Sequence, residues 1–167
     1  MEVFEAIRTR RSIREYLPKP IEPEKLEKVA EAFRLAPSAR NLQNWKLLIV
    51  TDKELKEKLK EVSPGKTPMI AQAPALLVGV GLSGDVMTNN HRVDTTDVSI
   101  ALSFAMLEAT ALGLGTCWMG YYTEPEFLAA LSLPEDNTVV AIMPIGYADE
   151  APEARPRKPA EEVISYV

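Results

Sequence analysis

Residues 98–112, VSIALSFAMLEATAL, restrict the fold of this chain more than any other stretch. The spacing predicts a helix over 94–112 that is apolar on most sides between Val98 and Leu112. A helix of that kind has to be covered on most sides. At 167 residues the chain is sized for one domain, with a proper core but little mass to spare. A second copy of the chain is the natural cover for what remains. The most apolar segment, Val98 to Trp118, carries Glu108, several hydroxyl side chains and two glycines, Gly113 and Gly115, which argues against a membrane span.

The other elements are shorter. Residues 2–9 can form a helix with Val3, Phe4 and Ile7 on one face. A second helix, about 24–35, carries Leu26, Val29, Ala30 and Phe33 at helical spacing. WKLLIV (45–50), PALLVGVG (74–81) and TVVAIMPIGY (138–147) read as buried strands. Thr51 with Glu54, and Thr123 with Glu126, have capping-box spacing and open helices to about 62 and 131. GLGTCWMGYY (113–122) ends the long helix and starts another strand. Strands and helices that alternate irregularly indicate an α+β fold or a mixed sandwich. No strand leads into G-x-G-x-x-G and no P-loop is present, which speaks against a doubly wound dinucleotide fold.

Composition excludes some classes of function. With a formal net charge of -5, the phosphate contribution to non-specific nucleic-acid binding is repulsive overall. Cys117 and His91 are the only residues of their types, so no internal disulfide and no Cys/His metal site can form. MEVFEAIRTR is acidic at positions 2 and 5 and does not resemble a signal peptide. A reducing cytoplasm fits this cysteine usage.

Against that acidic background, RTRRSIREY (8–16) gathers Arg8, Arg10, Arg11 and Arg14 around Ser12. Basic residues at a helix C-terminus complement the helix dipole, which is one reading. The other is a phosphate clamp, since guanidinium forks and a hydroxyl match phosphate oxygens. A second basic knot, ARPRK (154–158), would support the clamp if both knots faced one point. PSARNLQNW (37–45) is either a polar loop or a set of groups able to hydrogen-bond a polar ring edge. GLGTCWMG (113–120) is either a core strand with a tight entry turn or backbone N–H groups presented to a flat cofactor. Cys117 lies in an apolar run without a base beside it, and His91 reads as a surface loop residue.

Taken in order, RRSIREY, APSARNLQNW, LEATALGLGTCWMG, PIGY and RPRKPAEEV resemble the nitroreductase family of FMN-dependent enzymes. The resemblance covers residues 2–166 and implies one domain, 1–167, with a three-layer α/β/α fold. It also implies a mixed, mainly antiparallel sheet and an intertwined homodimer with FMN at the interface. Arg10, Arg11, Ser12 and Arg14 match the segment holding the FMN phosphate and ribityl chain, and Arg155 and Arg157 match its basic partner in the tail. Pro37, Ser38, Ala39, Arg40 and Asn41 match a loop that reaches the flavin from the other subunit. Cys117, Trp118, Met119 and Gly120 match the segment against the flavin ring and its N5.

The implied activity is hydride transfer from NAD(P)H through the flavin to a small acceptor such as a nitroaromatic or quinone. No protein side chain is assigned as acid or base, because the cofactor carries the chemistry. Three departures stand out. Asn44 replaces a frequent proline, Met119 stands where one branch has glutamate, and residues 82–93 are short where larger members cover the site. A non-catalytic FMN-binding dimer, a different flavin reaction such as dehalogenation or flavin fragmentation, and a plain interaction domain are the rival readings.

Overall fold

The central strand of the sheet, Ala75–Gly81 (β2), is buried at every position, as its continuous apolar sequence requires. In the computed structural model, which describes residues 1–82 and 84–167, β2 is flanked by Trp45–Val50 (β1) and Thr138–Gly146 (β4). Gly115–Thr116 (β3) completes the order β1-β2-β4-β3, with every strand pair antiparallel. The parallel element is an isolated bridge between Ser12 and Thr116. Side chains of β2 alternate between two cores: Leu76, Val78 and Val80 face one, Ala75 and Leu77 the other. A bulge at Gly79/Val80 breaks the register with β4.

Helices cover both faces, giving the α/β/α layering. Lys53–Glu61 (α3), Pro68–Gln72 (α4) and Glu124–Leu131 (α6) lie on the Val78 side, with Leu59, Ile70 and Phe127 fully buried. Pro23–Arg34 (α2) and the long helix Val93–Ala111 (α5) lie on the Leu77 side. Val98, Ala101, Leu102, Ala105 and Ala109 make the buried stripe of α5. A Cβ on Gly79 would stand 2.6 Å from both Leu102 Cδ1 and Val98 Cγ1, so glycine lets α5 approach the sheet.

The first helix, Val3–Thr9 (α1), and α2 both pack on α5, so part of its cover comes from its own chain. The apolar face of α1 points away from the core. Val3, Phe4 and Ile7 are exposed, and Ala6 is the buried residue.

Some local expectations need correction. β1 is an edge strand, and only Val50 is buried. α3 is capped by Asp52, whose carboxylate accepts from Leu55 N–H at 2.7 Å, rather than by Thr51 one residue earlier. Thr123 sits at the N-cap of α6 without a side-chain cap bond, while Glu124 accepts from Val139 N–H at 2.9 Å and ties the helix to β4. α4 and the C-terminal Ala160–Val163 (α7) were not expected, because five or four residues are too few for a periodic pattern. No helix among the described residues is long and apolar enough to cross a membrane.

Candidate active site

Arg10 caps the C-terminus of α1, its N–H donating to Ala6 O at 3.0 Å. The chain then runs extended beside β3. Ile13 N–H donates to Thr116 O at 2.9 Å, and Ser12 bridges Thr116. Glycine at 115 makes this possible, since a Cβ there would stand 2.5 Å from Ile13 Cγ1. The buried Tyr16 hydroxyl is shared between Ile13 O at 2.6 Å and Pro144 O at 3.0 Å. Burial is the main reason that this phenol is held far above its ordinary pKa. The hydroxyl is therefore a structural donor that pins the arginine segment to β4.

Downstream of β4 the chain returns along the same segment. Leu17 N–H donates to Tyr147 O at 2.9 Å, Tyr16 bridges Ala148, and Asp149 N–H donates to Glu15 O at 2.9 Å. This brings the two basic knots together. Arg10, Arg11, Ser12 and Arg14 share a hollow of about 550 Å³ with Arg155 and Arg157. Arg8 lines it too, but is paired with Glu5 at 2.9 Å. Among the described residues, none of Arg10, Arg11, Arg14, Arg155 and Arg157 is in an ion pair. Three of these guanidiniums instead reach backbone carbonyls: Arg11 to Arg8 O, Arg14 to Ser12 O and Arg157 to Arg155 O. Five unpaired guanidinium forks and a hydroxyl around one hollow are a donor set for a phosphate-sized polyanion.

Residues 117–120 continue past β3 along β4. Cys117 N–H donates to Pro144 O at 3.3 Å, and Met119 exchanges both backbone bonds with Ile142, at 2.9 and 3.1 Å. Met119 therefore offers neither a free backbone group nor an exposed side chain. Among the described residues, the backbone N–H groups of Trp118 and Gly120 have no acceptor, so these are the donors this segment can present. Burial is the main cause that raises the Cys117 thiol above its usual pKa, with Arg14 and Arg10 opposing it. A thiol protonated at neutral pH is a poor nucleophile.

The loop 37–43 lies elsewhere on the chain, on the flank of α5, and takes no part in the arginine hollow. Ala39 N–H donates to Asp97 Oδ2 at 3.0 Å, and Gln43 N–H to Ser38 Oγ at 3.1 Å. Arg40, Asn41 and Gln43 all have positive φ, 52°, 57° and 54°. Left-handed backbone at arginine and glutamine is uncommon and strained, and such strain concentrates at ligand-binding loops. Sequence reasoning singled out this loop by its polar groups and had no signal for its strain or for its anchor on Asp97.

Sequence reading also missed a second hollow of about 600 Å³ that shares Arg14 and is lined by Tyr16, Thr67, Pro68, Gln72 and Asp149. Its α4 residues carry no motif. His91 is exposed, beside Asn89 in a small turn closed by a Val86–Arg92 bridge. That turn makes up most of residues 82–93, of which Ser83 lies outside the described residues.

A three-layer α+β fold with a basic hollow at one sheet edge defines a class of anion-holding domains. The comparisons narrow it. The model of the Nitroreductase family matches residues 7–78 and 62–147, and the chain belongs to that family. It is 33% identical over 97% of its length to the FMN reductase (NAD(P)H) of Bacillus subtilis, covering 72% of that protein. A nitroreductase family protein from Clostridium difficile 630 superposes with a TM-score of 0.88 at 30% identity, covering 99% of this chain and 98% of that one. An FMN-dependent nitroreductase from Clostridium difficile R20291 superposes with a TM-score of 0.83 at 29% identity, with 98% of each chain covered.

Proposed function

We infer that this chain is an FMN-dependent oxidoreductase that passes hydride from NAD(P)H to a small acceptor such as a nitroaromatic or a quinone. The observation that carries this reading is the convergence of Arg10, Arg14, Arg155 and Arg157 on one hollow without carboxylate partners. The FMN reductase and FMN-dependent nitroreductase among its relatives support the same cofactor. The donor set fits the group: guanidinium forks and the Ser12 hydroxyl would hold the phosphate. The free N–H groups of Trp118 and Gly120 would face the ring. The flavin, when bound, supplies the two-electron chemistry that no side chain here could supply. The chain's own part is to hold the cofactor and leave one ring face open to reductant and acceptor in turn.

The reading includes a homodimer. Val3, Phe4, Ile7 and Phe104 are exposed, and Met1, Val3, Phe104, Leu107 and Ala111 line an apolar hollow of about 310 Å³. An apolar patch of this kind, on the uncovered side of α5, suits self-association. Pairing there would bury it and let the strained 37–41 loop of one copy reach the flavin of the other. The single buried cysteine suits a reducing cytoplasm.

The test is the visible spectrum of the purified protein, followed by anaerobic addition of NADH and NADPH separately. A flavin spectrum that bleaches and then returns with a quinone or nitroaromatic is the expected result. A colourless protein without FMN affinity would refute the flavin reading. Bound flavin that neither nucleotide bleaches would leave a non-catalytic FMN-binding dimer.

A further inference from the structure

We propose that Glu150 is a positioning residue for the phosphate end of the cofactor site. Its carboxylate fixes the tail carrying Arg155 and Arg157 against the segment carrying Arg10 and Arg14. The proposal rests on reading the arginine hollow as the seat of the FMN phosphate.

The last backbone tie between tail and body is Asp149 N–H to Glu15 O. One residue on, Glu150 Oε1 accepts from the backbone N–H of Arg14 and, at 3.3 Å, from that of Glu15. Two consecutive N–H groups on one carboxylate oxygen make a charge-assisted anchor. Beyond it, among the described residues, no hydrogen bond joins residues 151–158 to the rest of the chain. Prolines 152 and 156 restrict the intervening backbone and make it a semi-rigid strut. The place of Arg155 and Arg157 is therefore inherited from the Glu150 anchor and transmitted along that strut. Pro152 and Glu153, in the strut, line the same hollow as the arginines.

The sign of the charge separates this role from an electrostatic one. A carboxylate beside a phosphate site repels the phosphate. If charge were its only effect, Glu150→Ala and Glu150→Gln would both tighten FMN binding. If it positions the tail, glutamine keeps an acceptor oxygen for the two N–H groups, and alanine keeps none.

Titration of the apo-protein with FMN and with riboflavin, followed by flavin fluorescence, tests this. Glu150→Ala is expected to weaken FMN about tenfold, the low end for charge-assisted bonds, and to change riboflavin by less than about twofold. Glu150→Gln should stay within about threefold of the wild type for FMN. Trypsin should cut the apo-protein after Arg157, which unlike Arg155 is not followed by proline, faster in Glu150→Ala than in Glu150→Gln. Should Glu150→Ala fail to fold, Pro156→Gly decides, since that exposed position loosens the strut without touching the core. It should show the same FMN-selective loss. Equal loss of both ligands, or unchanged FMN affinity in Glu150→Ala and Pro156→Gly, overturns the positioning role. A wild type that binds FMN and riboflavin alike overturns the phosphate reading beneath it.

Discussion

Arg10 and Arg157 are far apart in sequence and line one hollow. If one phosphate binds both, truncating either removes a charge-assisted bond contributing about 1.5–3 kcal/mol. That corresponds to roughly tenfold to more than a hundredfold in FMN affinity. Arg157 is exposed and Arg10 only partly so, which sets the order within the range. Solvent and salt screen Arg157, so Arg157→Ala belongs near the low end and Arg10→Ala nearer the high end. Because both act on one group, the double variant should lose less than the sum of the single losses, and the difference is a coupling energy. Riboflavin lacks the phosphate and should bind wild type and variants alike. Flavin fluorescence titration of the apo-protein at two salt concentrations measures all of this. Equal loss of FMN and riboflavin in the variants would show that the arginines serve the fold or the ring, and the clamp would be wrong.

Phe104→Glu, placing a charge in the exposed apolar patch of α5, should convert a micromolar dimer to monomer in sedimentation and lower FMN affinity with it. A wild type that sediments as a monomer would refute the shared site. Gly79→Ala should destabilise the protein by about 1–3 kcal/mol in thermal or denaturant melts, because its Cβ has no room beside Leu102 and Val98. Burial opposes ionisation of Asp94, yet the Arg92 guanidinium at 2.6 Å, Thr95 N–H and Thr138 outweigh it, and the carboxyl sits below its usual pKa. The ionised form is thus favoured by folding. That stability is present above the ordinary aspartate range, about pH 4, and is lost as pH falls through the lower folded value. Asp94→Asn should flatten this acid limb in melts recorded against pH, and an unchanged limb would refute the assignment.

The fold was legible where one physical signal dominates. β2 and β4 are continuous apolar runs, and α2 and α5 have helical apolar spacing, so their existence and near-limits follow from burial alone. α4 was not legible, since its five residues start at Pro68 and offer no period to read. The orientation of α1 was not legible for a different reason. Val3, Phe4 and Ile7 do form an apolar face, but in the single chain that face is turned away from the core. A sequence shows that a face is apolar. It does not show whether its own chain or another copy covers it.

The candidate site divides along a similar line. The arginines are legible because they crowd one bend and one stretch of the tail in an otherwise acidic chain. Arg8, which has Glu5 three residues before it, is paired with it. The convergence of the two knots needs the backbone pairing of residues 16–17 with 147–148, which depends on strand register rather than on any motif. Glu150 is the extreme case. In ADEAPE it is one acid among several, and what distinguishes it is that its carboxylate meets two N–H groups contributed by residues 14 and 15. A residue that binds a ligand can be recognised by its own chemistry. A residue that places another becomes visible only when both ends of its contact are known.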